Sequence, residues 1–340
     1  MSRLDIPAGK SVLVTGASGF LGSRTVKSLS ENGCAVRALV RKSSRIDHLR
    51  LPAVTIFYGD VADYESLKAA FDGADYVIHA AADTAGTAEG GRLGTILGTR
   101  NILECCAAFK VRKLVYISSC SVYGVAACKD GELVDENSPL EHAPEQRGAY
   151  SWAKLEAEKL VTDFMAREDM PVVCLRPGTI YGSGGAVYTP LMGFSLANRL
   201  FAVIGSGESV LPLVHIDSLV AAVIASLTNE KSNGRIYNVV DTDRVSKKRY
   251  MDELVSKLYP GSVSFYLPCT LLYSLVRIQE KLCKALRLEP LLTCYRLGAS
   301  QKPVIYDVTR ILRELGWRPV VTFEEAVTDL IEYEGSRKAA

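Results

Sequence analysis

The chain has 340 residues, 48% hydrophobic and 23% charged, with a formal net charge of +2. That is the profile of a globular protein large enough for one sizeable domain or a domain with a smaller lobe. Without a strong charge or a block of like charges there is no electrostatic footprint for nucleic acid.

No uncharged apolar run reaches the ~18 residues of a spanning helix. The first ten residues include Asp5 and Pro7 and lack the apolar core of a signal peptide. Nine cysteines, an odd count with no CxxC pair, read as reduced thiols in a cytosolic protein. His48, His79, His142 and His215 show no metal-ligand spacing, so no metal site is expected.

The first element is a β-branched run, Val12–Val14, that breaks at Gly16, Gly19 and Gly22 and enters a helix over Phe20–Leu29. A strand entering a helix through a Gly-rich turn aims backbone N–H groups and the positive end of the helix dipole at one point, where a pyrophosphate binds. Gly16 allows the turn, Gly19 the approach of phosphates and Gly22 close packing of helix on strand. Ser18, Phe20 and Leu21 complete the nucleotide-binding turn. The alternative is an ordinary βα turn, but strand, turn, helix and position all agree on a dinucleotide.

Ala35–Val40 is the second strand. The acid that takes ribose hydroxyls in NAD-preferring proteins is replaced here by Val40, followed by Arg41, Lys42, Ser43 and Ser44. A guanidinium and two hydroxyls suit a 2′-phosphate, so NADP is favoured over NAD. Val54–Tyr58 is the third strand. Asp60 after it either accepts from an adenine amino group or caps the helix Tyr64–Phe71. The fourth strand, Tyr76–Ala80, runs into Ala80, Ala81 and Ala82, whose small side chains let a ligand lie against the backbone. A long helix is expected over Arg92–Lys110 and a fifth strand over Lys113–Ser118. Alternating strands and helices predict an α/β, Rossmann-type, doubly wound parallel sheet.

The fifth strand ends in several hydroxyls, in the crevice where such sheets bind ligands. A polar loop, 125–148, leads to Tyr150-Ser-Trp-Ala-Lys154 at the start of a helix that runs to Arg167. Residues four apart share a helix face. A nearby ammonium favours the phenolate, so Lys154 is expected to lower the pKa of Tyr150 toward working pH and make it a general acid/base.

These motifs come in an order that resembles the extended short-chain dehydrogenase/reductases, the NAD(P)-dependent epimerase/dehydratase superfamily. They are Thr15–Gly22, Gly59–Val61, His79–Ala82, Ser118–Ser119 with Val122–Gly124, Tyr150–Lys154 and Arg176–Gly182. The resemblance implies Ser119 as the catalytic hydroxyl, Tyr150 as acid/base and Lys154 as ribose anchor and pKa modulator. It implies Asp60 and Val61 beside the adenine, Ala80–Ala82 along the cofactor, and Pro177 and Gly178 near the nicotinamide. It also implies a homodimer through the Arg92–Lys110 and Tyr150 helices. One departure is Thr95, where the family often places a relay Asn.

The same comparison divides the chain into a nucleotide-binding domain over residues 1–182 and a mainly substrate-binding lobe over 183–340, with 211–240 returning to the core. Leu213–Asp217 looks like the family's strand-to-helix return. Nucleotide-sugar epimerases commonly carry an Arg just upstream for the sugar-nucleotide pyrophosphate. Leu211 stands there, and Arg199 is the nearest earlier base. Burying a diphosphate without cations is costly. The substrate is therefore expected to be bulky and partly apolar, its secondary alcohol and ketone interconverted by hydride transfer. A nucleotide-sugar epimerase or dehydratase with tightly bound NAD(P) is the alternative.

Over residues 265–292, Leu271, Leu275, Ile278, Leu282 and Leu286 repeat at helical spacing, opposed by Arg277, Glu280, Lys281, Lys284 and Arg287. Three readings stand: a lid over an apolar substrate, a helix lying on a membrane surface, or an amphipathic helix packed on the body. The tail, Leu292–Leu297, Tyr306–Arg310 and Leu315–Pro319, resembles the 3β-hydroxysteroid dehydrogenase-like branch.

Overall fold

The computed structural model describes residues 9–288 and 290–339. The reading of the N-terminus as lacking a targeting leader falls mostly on residues 1–8, outside that range. Seven strands form the central sheet: β1 (Ser11–Thr15), β2 (Ala35–Val40), β3 (Val54–Tyr58), β4 (Tyr76–His79), β5 (Lys113–Ile117), β6 (Val172–Pro177) and β7 (Arg235–Val239). Their spatial order is β7-β6-β5-β4-β1-β2-β3, and every pairing is parallel.

Strands β5 and β6 are buried at every residue because helices cover both faces of the sheet, which is why they read as continuous apolar runs. One layer holds helices α1 (Phe20–Glu31) and α5 (Ile216–Thr228), packed with Ile311 and Trp317. The other holds α2 (Tyr64–Phe71), α3 (Gly98–Ala108) and α4 (Ala149–Arg167). The chain leaves β1 toward one edge and returns through β4 on its other side. That switch opens a crevice at the carboxyl ends of β1, β4, β5 and β6.

The long helix expected over Arg92–Lys110 is not uniform. A π-helical stretch, Gly91–Leu97, precedes α3. Its glycines face crowded neighbours: a Cβ at Gly91 would lie 2.9 Å from the Ala153 Cβ, and one at Gly98 2.7 Å from the Val61 side chain. Close packing on α4 and on the loop after β3 therefore sets the path of the backbone. The region after Gly182 holds further regular structure. Strands Gly193–Leu196, Leu200–Ile204 and Val263–Leu267 make a small sheet with Leu200–Ile204 at its centre.

Helix α6 spans Cys269–Leu286 and turns its leucine row outward: Leu271, Leu275, Ile278, Leu282 and Leu286 are 52 to 67% exposed. What packs on the body is the neighbouring face, where Leu272, Tyr273 and Val276 meet Ile204 and Leu297. Of the three readings of this segment, packing on the body holds for the helix but not for its leucine row, because a different stripe of the same helix fills that contact. Among the described residues no helix is long and apolar enough to cross a membrane. All nine cysteines lie among the described residues and none forms a disulfide.

Candidate active site

The crevice is a cleft of about 1840 Å³ that runs from the Gly-rich turn to α6. At one end, Gly16 takes φ +66°, and a Cβ there would meet the Ala81 backbone at 2.8 Å. A Cβ at Gly22 would lie 2.1 Å from the Gly16 carbonyl oxygen, so only glycine lets α1 start this close to the turn. Helix α1 begins with no side-chain cap and no acid in its first turn, and it opens on the cleft. Its first amide donors are thus free of side-chain acceptors, which suits a pyrophosphate. The residues present fit a dinucleotide.

Ser18, Gly19, Phe20, Leu21, Arg41, Asp60, Val61, Ala80, Ala81, Ala82, Pro177 and Gly178 all line this cleft. Ala81 N–H donates to the Thr15 hydroxyl at 3.3 Å, which brings the alanine run against the turn. Ser44 also lines the wall, beside Arg41, and accepts from the Ser18 hydroxyl at 3.2 Å. Asp60 does not cap α2. Its Oδ1 accepts from its neighbour Ala62 N–H at 2.9 Å, while Asp63 caps the helix. Thr95 is buried, and its hydroxyl accepts from Asp83 N–H at 2.9 Å.

Past β5 the cleft is lined by Ser119, Tyr150 and Lys154. Two adjacent serines take different roles here. Ser118 is 2% exposed and donates to Glu158, whose carboxylate is gripped by the Arg176 guanidinium (Nε to Oε1 3.1 Å). Ser119 starts the short turn Cys120–Val122, its Oγ accepting from Ser121 N–H at 3.1 Å, and stays open to the cleft. Arg176 Nη1 further donates to the Tyr123 hydroxyl at 2.7 Å, which donates to Asn238 Oδ1 at 2.6 Å. This dry network fixes the ends of β5, β6 and β7 behind the Ser119 loop.

The pKa expectation for Tyr150 is corrected. Burial pushes the Tyr150 hydroxyl up, and the Ser119 hydroxyl, rather than the Lys154 ammonium, pulls it partly back. The ammonium is instead 2.7 Å from the Ile117 carbonyl oxygen, with its charge over the Tyr116 ring at 5.5 Å. Burial lowers the Lys154 pKa to about 8. Sharing a helix face is thus not enough: the longer side chain reaches past Tyr150 to the end of β5. His79 is held neutral, its pKa lowered to about 3 by burial, between the Thr15 and Thr99 hydroxyls at 2.7 and 3.1 Å.

The far end of the cleft is lined by Leu191, Leu211, Leu272, Val276 and Leu292 among other apolar side chains. Leu211 is 3% exposed and packs with Phe201 and Leu213, so the position where epimerases carry Arg is filled by core. Arg199 does not line the cleft. Four basic residues that do were not singled out from sequence: Arg147, Lys247, Arg296 and Lys302. Arg147 sits 3.8 Å from the Glu141 carboxylate, and the Arg296 guanidinium packs beside Gly148, where a Cβ would lie 3.1 Å from its Cζ. No local pattern marks Arg296 in the sequence, since it meets Gly148 only through the tertiary fold.

The family model for the NAD dependent epimerase/dehydratase family matches residues 12–239. A 2-alkyl-3-oxoalkanoate reductase of Stenotrophomonas maltophilia (strain K279a) is 27% identical over 329 residues, covering 94% of this chain and 98% of that protein. A decarboxylating sterol-4-alpha-carboxylate 3-dehydrogenase of Mus musculus is 22% identical over 340 residues, covering 96% and 92%. Among solved structures, gox2253 aligns at TM-score 0.80 and 25% identity, over 97% of this chain and 99% of that one. MoeE5 in complex with UDP-glucose and NAD aligns at TM-score 0.70 and 22% identity, over 97% and 100%, a likeness of fold. The chain belongs to the NAD dependent epimerase/dehydratase family, within the extended short-chain dehydrogenase/reductases, and is an NAD(P)-dependent oxidoreductase.

Proposed function

We propose that this enzyme interconverts a secondary alcohol and a ketone on a bulky, partly apolar substrate, with NADP as its preferred cofactor. The observation that carries this reading is one cleft joining a nucleotide cradle, the Ser119/Tyr150/Lys154 cluster and a leucine-rich wall. The cradle residues of the Gly-rich turn, Ala80–Ala82 and Lys154 hold the dinucleotide, whose nicotinamide ring supplies or accepts the hydride when bound. Pro177 and Gly178 close the nicotinamide side.

Tyr150 gives its hydroxyl proton to the carbonyl oxygen during reduction and takes it back during oxidation. Because burial raises its pKa, the phenol is protonated at neutral pH, the state that ketone reduction needs. Ser119 donates a hydrogen bond to the same oxygen and stabilises the charge that develops there. Lys154 holds the ribose hydroxyls and a positive charge behind Tyr150. Arg41, with Ser18 and Ser44 beside it, is the group that takes a 2′-phosphate. The relatives named as a 2-alkyl-3-oxoalkanoate reductase and a sterol dehydrogenase support a substrate with a large apolar part.

The reading includes the division at residue 182 and a homodimer through α3 and α4, which sedimentation at micromolar concentration tests. A second reading, a nucleotide-sugar epimerase, is favoured by Arg296, a cleft-lining cation with no ion pair among the described residues. Acid release of bound nucleotide separates the two. Tightly held NAD indicates the epimerase; empty protein that binds NADPH more tightly than NADH supports the reductase. Tyr150→Phe is expected to lower ketone reduction by about 10²-fold or more while NADPH affinity is kept. Unchanged turnover would remove the assignment.

A further inference from the structure

We propose that the outward face of α6 docks on the surface of an anionic phospholipid bilayer, with the mouth of the cleft turned toward the lipid. Leu271, Leu275, Ile278, Leu282 and Leu286 follow one another at spacings of four, three, four and four residues, so they form a single line along the helix. All are more than half exposed. A contiguous apolar stripe of this kind is unusual on a soluble surface and marks an interaction site. The stripe continues beyond the helix. Leu288 and Leu291 are exposed after it, and Phe194 is exposed on the small sheet.

The stripe also reaches the cleft. Leu275, Leu291 and Phe194 are exposed and line the cleft at the same time, so they form its rim. Whatever covers the leucine line therefore also meets the cleft opening.

Charge decides between a bilayer and a second copy of the chain. Arg277, Lys281 and Lys284 are exposed on the polar side of the helix and Arg287 at its end, and none makes an ion pair among the described residues. The one acid of the helix, Glu280, is turned to the body, accepting from Cys294 N–H at 3.1 Å. In a two-fold interface the same patch meets itself, which would bring together two helices of net positive charge. An anionic membrane instead offers apolar depth to the leucines and attracts that charge, Lys281 being the cation nearest the stripe and able to reach the headgroups along its long stem. The inference does not depend on the reaction assigned above, since binding is read without substrate.

The test is flotation of the full chain with vesicles of phosphatidylcholine plus phosphatidylglycerol, and with phosphatidylcholine alone, alongside sedimentation velocity. The wild type is expected to float with the mixed vesicles and much less with the neutral ones. A Leu271→Ser/Ile278→Ser/Leu282→Ser variant touches no cleft-lining residue. It is expected to lose flotation while keeping its melting temperature and NADPH binding. A Lys281→Gln/Lys284→Gln variant should weaken binding to the anionic vesicles by roughly fivefold per cation removed. Wild-type protein that stays off both vesicle types overturns the proposal. So does flotation that survives the serine substitutions. A dimer that those substitutions dissolve, without lipid binding, overturns it in favour of a contact between copies.

Discussion

Replacing Lys154 with methionine should stabilise the fold at neutral pH while abolishing turnover. Lys154 is 3% exposed, and burial brings its pKa from 10.5 to about 8. At about 1.36 kcal/mol per pH unit, that interval corresponds to about 3 kcal/mol of folding free energy lost by holding the ammonium in the dry core at pH 7. Methionine has a similar length and keeps the packing. It leaves the Ile117 carbonyl without its 2.7 Å donor, which costs about 1–2 kcal/mol. The net gain is about 1–2 kcal/mol. With roughly 2.1 cal/mol/K of unfolding entropy per residue, the melting temperature rises by about 2 °C.

The sign depends on pH. The folded pKa lies below the unfolded one, so the penalty is fully present below about pH 8 and fades as pH rises to 10.5. The variant's advantage should shrink above about pH 8 and reverse near 10.5, where only the lost hydrogen bond counts. Melting curves of both proteins across that range read this directly, and ketone reduction should fall by about 10²-fold or more. A variant that melts lower than wild type at pH 7, by an amount that does not change with pH, would refute the burial argument.

Gly22→Ala places a methyl 2.1 Å from the Gly16 carbonyl oxygen, so calorimetric titration should show NADPH affinity falling by roughly 10²-fold as the turn is pushed open. Glu158→Leu leaves the Arg176 guanidinium, 2% exposed, without its carboxylate; the expected loss is about 3–5 kcal/mol, or a melting temperature about 4–7 °C lower. The folded pKa of His79, about 3, lies below its unfolded value of 6.5, so its contribution is complete above pH 6.5 and is lost as pH falls toward 3. His79→Asn should make the acid side of the stability profile shallower by up to about 1.4 kcal/mol per pH unit, measured by urea denaturation. Arg41→Ala should weaken NADPH binding by about tenfold and leave NADH binding unchanged; equal effects on both would remove Arg41 from the 2′-phosphate assignment.

Much of the fold is legible because its signals are local. Buried parallel strands appear as short β-branched runs, and the helices between them carry apolar stripes, so the first five core strands can be placed within a residue or two. The Gly-rich turn is legible for the same reason: a positive φ at Gly16 and the close approach at Gly22 exclude any side chain. The spacing of Tyr150 and Lys154 is legible as one helix face. The π-helical stretch before α3 is not, since ordinary helical periodicity carries no mark of the contacts with Ala153 and Val61 that accompany it.

The amino-acid sequence by itself determined the order of strands and helices and the nucleotide turn, because each depends on neighbours within a few positions along the chain. Tertiary structure alone decided the rest. It buried Ser118 against Glu158 and left Ser119 the more exposed of the two. It sent the Lys154 ammonium to Ile117 and raised the Tyr150 pKa. It filled the Leu211 position with core, and it left the leucine line of α6 facing outward. Those outcomes depend on burial and on partners tens to hundreds of residues away, which no local pattern encodes.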